Sequence, residues 1–174
     1  FQLMQGALRV SHSGKPFDEN DVRGICGIAE STKDLTAIGR FGIGFKSVYA
    51  FTDRPAIHSG DEHFAIESFV WPVAVPATSN GEAGTLIELP LKAQAEEDRR
   101  EIAAGLRRLG ASTLLFLRQI EEITWSLPGA SSGLYVRKST NLDEGVRRIT
   151  VTGRGTETPD TEEAWLVFSR PAAA

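Results

Sequence analysis

The segment Ile38-Gly39-Arg40-Phe41-Gly42-Ile43-Gly44-Phe45-Lys46-Ser47 constrains this chain more than any other part of it. Glycines at 39, 42 and 44 permit positive φ and let another group approach the backbone closely. They lead directly into Gly42 to Phe51, whose apolar spacing suits a helix. Free N–H groups at a helix start, with the helix dipole, favour an anion. Two familiar phosphate loops do not fit. A P-loop needs Gly, four residues, then Gly-Lys-Ser/Thr. Gly39 and Gly44 have that separation, but Phe45 stands at the lysine position and Lys46 arrives one residue late. A dinucleotide fingerprint needs Gly-x-Gly-x-x-Gly. Gly42 and Gly44 supply two of its glycines, and Ser47 stands where the third belongs. A glycine-rich turn that simply permits tight packing is the alternative for this segment taken alone.

The flanking chain mixes strands and helices without strict alternation, which predicts an α+β fold. Ala7 to Ser11 reads as a buried strand and His12 to Pro16 as a turn. Asp18 is placed to cap a short helix, with Asp21 completing a capping box and Phe17 and Val22 a hydrophobic staple. Residues 27–38 read as a loop. Strands are expected at Pro55 to Ser59, His63 to Val70 and Thr85 to Leu91, with a loop over Pro76 to Gly84. Glu96 to Leu117 carries apolar residues near a 3.6 period and acidic residues at its start, a helical pattern interrupted by Gly105 and Gly110. Further strands fall around Ile123 to Leu127, Leu134 to Lys138, Val146 to Thr152 and Ala164 to Phe168.

With 174 residues, 41% of them hydrophobic, the chain can build a core without staples. Cys26 is the only cysteine, so no disulfide closes within the chain. A net charge of −4 leaves no overall footprint for nucleic acid. No apolar run reaches membrane-spanning length, so no membrane partner is expected and the default location is cytoplasmic. Both ends read as cuts, since position 1 is Phe and the last strand meets Pro171 and three alanines. A complete small protein that has lost its initiator Met is the alternative.

The run Ile38 to Tyr49, followed by Ala50-Phe51-Thr52-Asp53, resembles the second glycine box of the gyrase, heat-shock chaperone, histidine-kinase and MutL (GHKL) superfamily. It is most similar to the ninety-kilodalton heat-shock chaperone and to sacsin-type ATP-binding domains. Three further segments match in order. Val10-Ser11-His12-Ser13-Gly14-Lys15-Pro16-Phe17 with Asp21-Val22 resembles the first glycine box, Asp-x-Gly-x-Gly. Ala29-Glu30-Ser31-Thr32-Lys33 resembles the start of the nucleotide lid, and Gly84-Thr85 the family's Gly-Thr strand. The resemblance is strong over Leu8 to Leu91 and looser beyond.

It implies a two-layer Bergerat-type sandwich, a mixed, mostly antiparallel sheet with helices on one face, followed by a C-terminal helix and strands. Residues 1–92 would be a partial ATP-binding domain, and 93–174 the end of that unit and the start of a coupling region. ATP is the implied cofactor, with backbone N–H groups of Gly39, Arg40, Phe41, Gly42, Ile43, Gly44 and Phe45 around its phosphates and Arg40 and Lys46 as charge partners. Ser31, Thr32 and Lys33 would meet the nucleotide through the lid. Gly14 would give room for the base, Thr85 would bond beside it, and Phe17 would pack under it or in the core. His12 occupies the place of the aspartate that accepts the adenine amine. A neutral imidazole offers one accepting nitrogen for that role, and a turn-closing histidine is the alternative. Pro16 departs from the family's second glycine.

The superfamily's catalytic helix, with its Glu base and Mg²⁺-binding Asn, lies upstream of the first glycine box. Only Phe1 to Ala7 precede that box here, so no residue is assigned as catalytic and the Mg²⁺ ligand is expected from the missing helix. The implied role is a nucleotide-dependent switch in a sacsin-like or chaperone-like multidomain parent that could hydrolyse ATP. ATP and ADP, other domains of that parent and a second copy of the chain are the implied partners. A non-hydrolysing nucleotide sensor or structural interaction domain is the alternative, and a histidine kinase a weaker third. His58 and His63 do not have zinc-ligand spacing with Cys26.

Overall fold

The structure is a computed structural model that describes residues 1–27, 43–78, 84–92, 95–117 and 119–169. The fold is α+β. It divides into two compact units, one of Gln2–Arg100 and one of Phe1 with Glu101–Ala174.

The Gln2–Arg100 unit contains β1 (Gln2–Leu3), β2 (Ala7–His12), α1 (Glu19–Cys26), α2 (Ile43–Lys46), β3 (Ala56–Ser59), β4 (Glu62–Glu67), β5 (Trp71–Ala74) and β6 (Thr85–Pro90). Its strands lie in the order β1-β2-β6-β3-β4-β5, and each neighbouring pair is antiparallel. Strand β6 therefore returns to sit between β2 and β3. A single 3₁₀ turn, Ser47–Ala50, continues α2.

Side chains alternate across a strand, so the register defines the faces. Val10, Ile87 and Ile57 share one face, since Val10 pairs with Ile87 and Ile87 with Ile57. Phe64 pairs with Ile57 and joins them, and Ile66 follows two residues along. This face meets the helices: Cys26, Tyr49, Ile57, Phe64 and Ile66 form the core, and Phe17, Val22, Ile25, Phe45 and Val48 pack against it. The start of α1 is set locally. The Asp18 carboxylate accepts from the N–H groups of Asn20 and Asp21 at 3.0 and 3.1 Å, and the Asp21 carboxylate accepts from Asp18 N–H at 3.1 Å. That capping box satisfies amides a helix start otherwise leaves open.

Helix α3 (Ala95–Arg107) contains the division between the units. The helix expected over 96–117 is two helices, α3 and α4 (Ala111–Leu115). Gly110 is extended and caps α4. Glycine is a poor helix former, and the break lets Leu109, Leu114, Leu115 and Leu117 all reach one core.

In the second unit β7 (Glu122–Ser126), β8 (Ser132–Asp143), β9 (Val146–Gly155) and β10 (Thr161–Phe168) form an antiparallel meander in sequence order. Leu114 of α4 meets Ile123, Ile149 and Val151 on one face of it. Two glycines on that face make room for rings. A Cβ at Gly133 would lie 2.5 Å from the Trp125 indole, and one at Gly153 would lie 2.7 Å from the Tyr135 ring. The Tyr135 hydroxyl donates to the Leu109 carbonyl at 2.6 Å, tying the interhelix bend to the sheet. Strands β8 and β9 are longer than the sequence patterns over 134–138 and 146–152, because the pair extends as a ribbon to the turn at Gly145. Gly145 has φ +71°, and a Cβ there would lie 2.6 Å from the Ser169 carbonyl oxygen.

Candidate functional site

His12 and Thr85, both named from the sequence, meet at one end of the first unit's sheet. His12, the last residue of β2, pairs with Thr85, the first of β6, and Thr85 pairs with Ser59, the last of β3. The three form one cross-strand row on the helix-bearing face. Thr85 and Ser59 are buried, and their hydroxyl oxygens are 2.5 Å apart. The Ser59 hydroxyl also accepts from the Phe17 backbone N–H at 2.9 Å. The turn between β2 and α1 is thus fastened to the row by a backbone-to-hydroxyl bond.

Close packing around this row explains its glycines. A Cβ at Gly84 would lie 2.6 Å from the His12 carbonyl oxygen, so β6 begins hard against β2. Gly60, in the turn joining β3 to β4, has φ +56°, and a Cβ there would lie 3.0 Å from Pro16 Cβ. Such a left-handed turn residue strongly favours glycine. Pro16, which stands in place of a glycine in the resembling motif, is therefore a packing partner of the hairpin turn.

His12 itself is exposed, and its Nδ1 accepts from the Gly14 backbone N–H at 3.1 Å. Phe17 is half-buried and packs on the core beside Val22. Of the glycine segment, Ile43 and Gly44 begin α2, Gly44 is exposed, and Phe45 turns into the core. Ser31, Thr32, Lys33, Gly39, Arg40, Phe41 and Gly42 lie outside the described residues.

Lys46 makes contacts that its position in sequence did not suggest. Its ammonium donates to the Cys26 carbonyl at 3.0 Å and the Phe69 carbonyl at 2.6 Å, joining the end of α1 to the turn between β4 and β5. Burial holds its pKa below the ordinary lysine value. The same surroundings raise the Cys26 thiol and the Tyr49 hydroxyl, again chiefly through burial. Tyr49 stacks at a tilt on Phe69, ring centroids 4.6 Å apart.

On the opposite face, His58 and His63 pair across β3 and β4 with their Nδ1 atoms 3.2 Å apart. The Thr78 hydroxyl lies 3.3 Å from His58 Nε2. Among the described residues, no group of three metal-ligating side chains includes them. Burial, with the neighbouring His63 adding to it, holds the His58 pKa below the ordinary histidine value, while Glu88 opposes both. The folded state therefore resists protonation that the unfolded chain accepts. Stability from this site is full above about pH 6.5 and declines as pH falls below it. Denaturant midpoints measured from neutral to mildly acid pH are expected to drop, and His58→Asn is expected to flatten that slope. A rise in stability on acidification that His58→Asn removes would contradict this account.

Ser59 and Gly60 were missed by sequence reasoning. Nothing local marks Ser59; only its register opposite Thr85 brings it to the row. Strand β5, Trp71–Ala74, was missed as well, being short and containing Pro72. Proline is tolerated at a sheet edge, which is where β5 lies within its unit.

Comparison with known proteins places these residues in a wider setting. Residues 1–69 match the protein family described as the sacsin domain. The chain is 30% identical over 164 residues to Protein NO VEIN of Arabidopsis thaliana, an alignment covering 79% of this chain and 6% of that protein. It is 40% identical over 65 residues to sacsin of Homo sapiens, covering 36% of this chain and 1% of that protein. The chain thus spans a small part of the length of these relatives, and the matches support a sacsin-like family. No helix among the described residues is long and apolar enough to cross a membrane.

Proposed function

From this sacsin-like relationship we propose that the chain is a GHKL-type ATP-binding module, with a Bergerat-type sheet, of a longer multidomain protein, and that bound nucleotide acts as a conformational switch in that parent. The observation that carries the reading is the row His12–Thr85–Ser59. Two residues that the resemblance puts at the nucleotide base, 73 positions apart in sequence, are cross-strand partners. Two further features support it. Gly14 and Gly84 both lack the side chain that would crowd the His12 end of that row. The glycine series from 39 to 44 also runs directly into α2, whose first turn contains Gly44. Gly39, Arg40, Gly42, Gly44 and Phe45 would face the phosphates with their amides, and Ser31, Thr32 and Lys33 would meet them from the lid. Mg²⁺ accompanying the nucleotide would supply positive charge at the phosphates, and none of the residues named here is assigned to hold it.

Nucleotide can drive such a switch only by binding one state of the parent more tightly than another. A chaperone-like cycle, hydrolysis resetting the switch, follows where the parent supplies the general base. The departures at His12 and Pro16 favour a second reading, a domain that senses nucleotide and does not hydrolyse it. Titrating ATP into the full-length parent, with and without Mg²⁺, tests both. Saturable binding with phosphate release supports the ATPase, and saturable binding without release supports the sensor. No saturable binding overturns the module itself.

A further inference from the structure

Strand β10 forms the edge of the second unit's meander, with β9 as its one strand neighbour among the described residues. Ser169, one residue beyond it, donates its backbone N–H to the Gly145 carbonyl at 2.8 Å. Bonded residues alternate along an antiparallel strand. The register runs unbroken from Thr161 opposite Gly153 to Phe168 opposite Val146. Odd-numbered residues of β10 therefore bond to β9, and Glu162, Ala164, Leu166 and Phe168 turn their N–H and C=O groups to the open side. Such a row is a template for a further strand.

Edge strands are commonly guarded by shortness, proline, bulges or charge. Strand β5, the edge of the first unit, is four residues long and contains Pro72. Strand β10 is eight residues long, with no proline, lysine or bulge. Its only charges, Glu162 and Glu163, lie in its first half and leave Ala164 to Phe168 unguarded. Leu166 and Phe168 are 57% and 72% exposed. Trp165 and Val167, on the other face, pack against the core that holds Leu114, so a strand laid alongside would extend that core.

We propose that β10 is a strand-addition site for an extended partner segment that is basic at one end and apolar at the other. Charge identifies the partner. Glu162 and Glu163 are exposed, and they face Thr152 and Val151 on the β9 side. No ion pair among the described residues uses either of them. Cations opposite the glutamates and apolar side chains opposite Leu166 and Phe168 make favourable cross-strand pairs, while the open amides supply the main-chain bonds of an added strand. A second copy of β10 fits less well. Paired parallel in register it sets glutamate against glutamate, and paired antiparallel it sets the glutamates against the apolar half.

The test titrates the full-length parent into a labelled strand-length peptide of alternating valine and threonine that ends in two lysines. Saturable binding is expected. Glutamates in place of the lysines should weaken it at least about tenfold, and the Glu162→Lys/Glu163→Lys variant should reverse that preference. Leu166→Pro removes an outward N–H and no bond to β9, and should also weaken binding at least about tenfold. Leu166→Thr keeps the N–H and should lose less. Both glutamates are exposed, so the charge-reversed variant should melt with the wild type and carries the test if the proline variant does not fold. No saturable binding, or a preference that charge reversal does not move, would overturn the proposal. Equal losses in Leu166→Pro and Leu166→Thr would overturn strand addition. Self-association of the parent that the charge-reversed variant leaves intact and Leu166→Pro abolishes, without peptide binding, would overturn the basic partner in favour of a second copy.

Discussion

Gly44→Val in the full-length parent is expected to abolish ATP binding while leaving the melting temperature within a few degrees of wild type. The two halves of that result have separate causes. Gly44 is exposed in the first turn of α2, is not a left-handed residue, and has no described atom within 4 Å of where a Cβ would stand. The free protein therefore has room for a side chain there. Valine is a better helix former than glycine by a few tenths of a kcal/mol, so the substitution has little effect on folding or a small stabilising one. On the proposed reading, phosphate approaches the bare amides of this turn, and a branched side chain fills that approach. Loss of binding by at least about a hundredfold corresponds to roughly 2.7 kcal/mol. Calorimetric titration reads the affinity and a thermal scan reads the fold. Wild-type affinity in the Val variant would remove this turn from the site.

Ile57→Ala is expected to destabilise the Gln2–Arg100 unit by about 2–5 kcal/mol. Ile57 has no exposed surface, sits at the centre of β3 and packs with Cys26, Tyr49, Phe64 and Ile66. Truncation removes buried methyl groups and leaves a void that neighbours fill only in part. A unit of this size shifts its melting temperature by about 4–8 °C for each kcal/mol, so a fall of roughly 10 °C or more should be seen. Ile57→Val keeps most of the volume and should lose about 0.5–1.5 kcal/mol. The position also matters to the site, because Ser59 follows two residues later on the same face and accepts the Phe17 amide. Denaturant unfolding followed by Trp fluorescence and by circular dichroism measures the effect. Equal stabilities for the Ala and Val variants would mean that this core is not closely packed.

Much of the local structure was legible before any coordinates. The capping box at Asp18 and Asp21 spans three residues, and both partners lie on one stretch of chain, so residue types and spacing suffice. The sheet-forming runs at β3, β4, β6 and β7 announced themselves through apolar and β-branched residues. Errors arose where local preference competed with packing. The segment 96–117 has a helical period throughout, yet Leu109 and Leu114 serve one core and the chain bends at Gly110 to let them. Trp71–Ala74 lacks a strand's length and contains proline, and its strand exists because β4 offers it an antiparallel partner.

The candidate site divides in the same way. Its glycines and His12 stand out in the sequence because their chemistry is unusual where they occur. Lys46 stood out too, beside the glycines, but its ammonium is held by the carbonyls of Cys26 and Phe69, twenty and twenty-three residues away. Ser59 gave no signal at all.

What the order of residues determined by itself was everything that acts across a few bonds of chain: the cap of α1, the strand and helix periods, the absence of any internal disulfide, and a glycine series able to expose amides. What only the tertiary structure decided was which distant groups become neighbours: the row His12–Thr85–Ser59, the resting partners of Lys46, and the burial that lowers the His58 pKa. The physical reason is that short-range preferences depend on covalent spacing, whereas cross-strand partners depend on register. Register is set by how all the strands bury their apolar faces together, and a shift of one residue would send His12, Thr85 and Ser59 to different faces of the sheet.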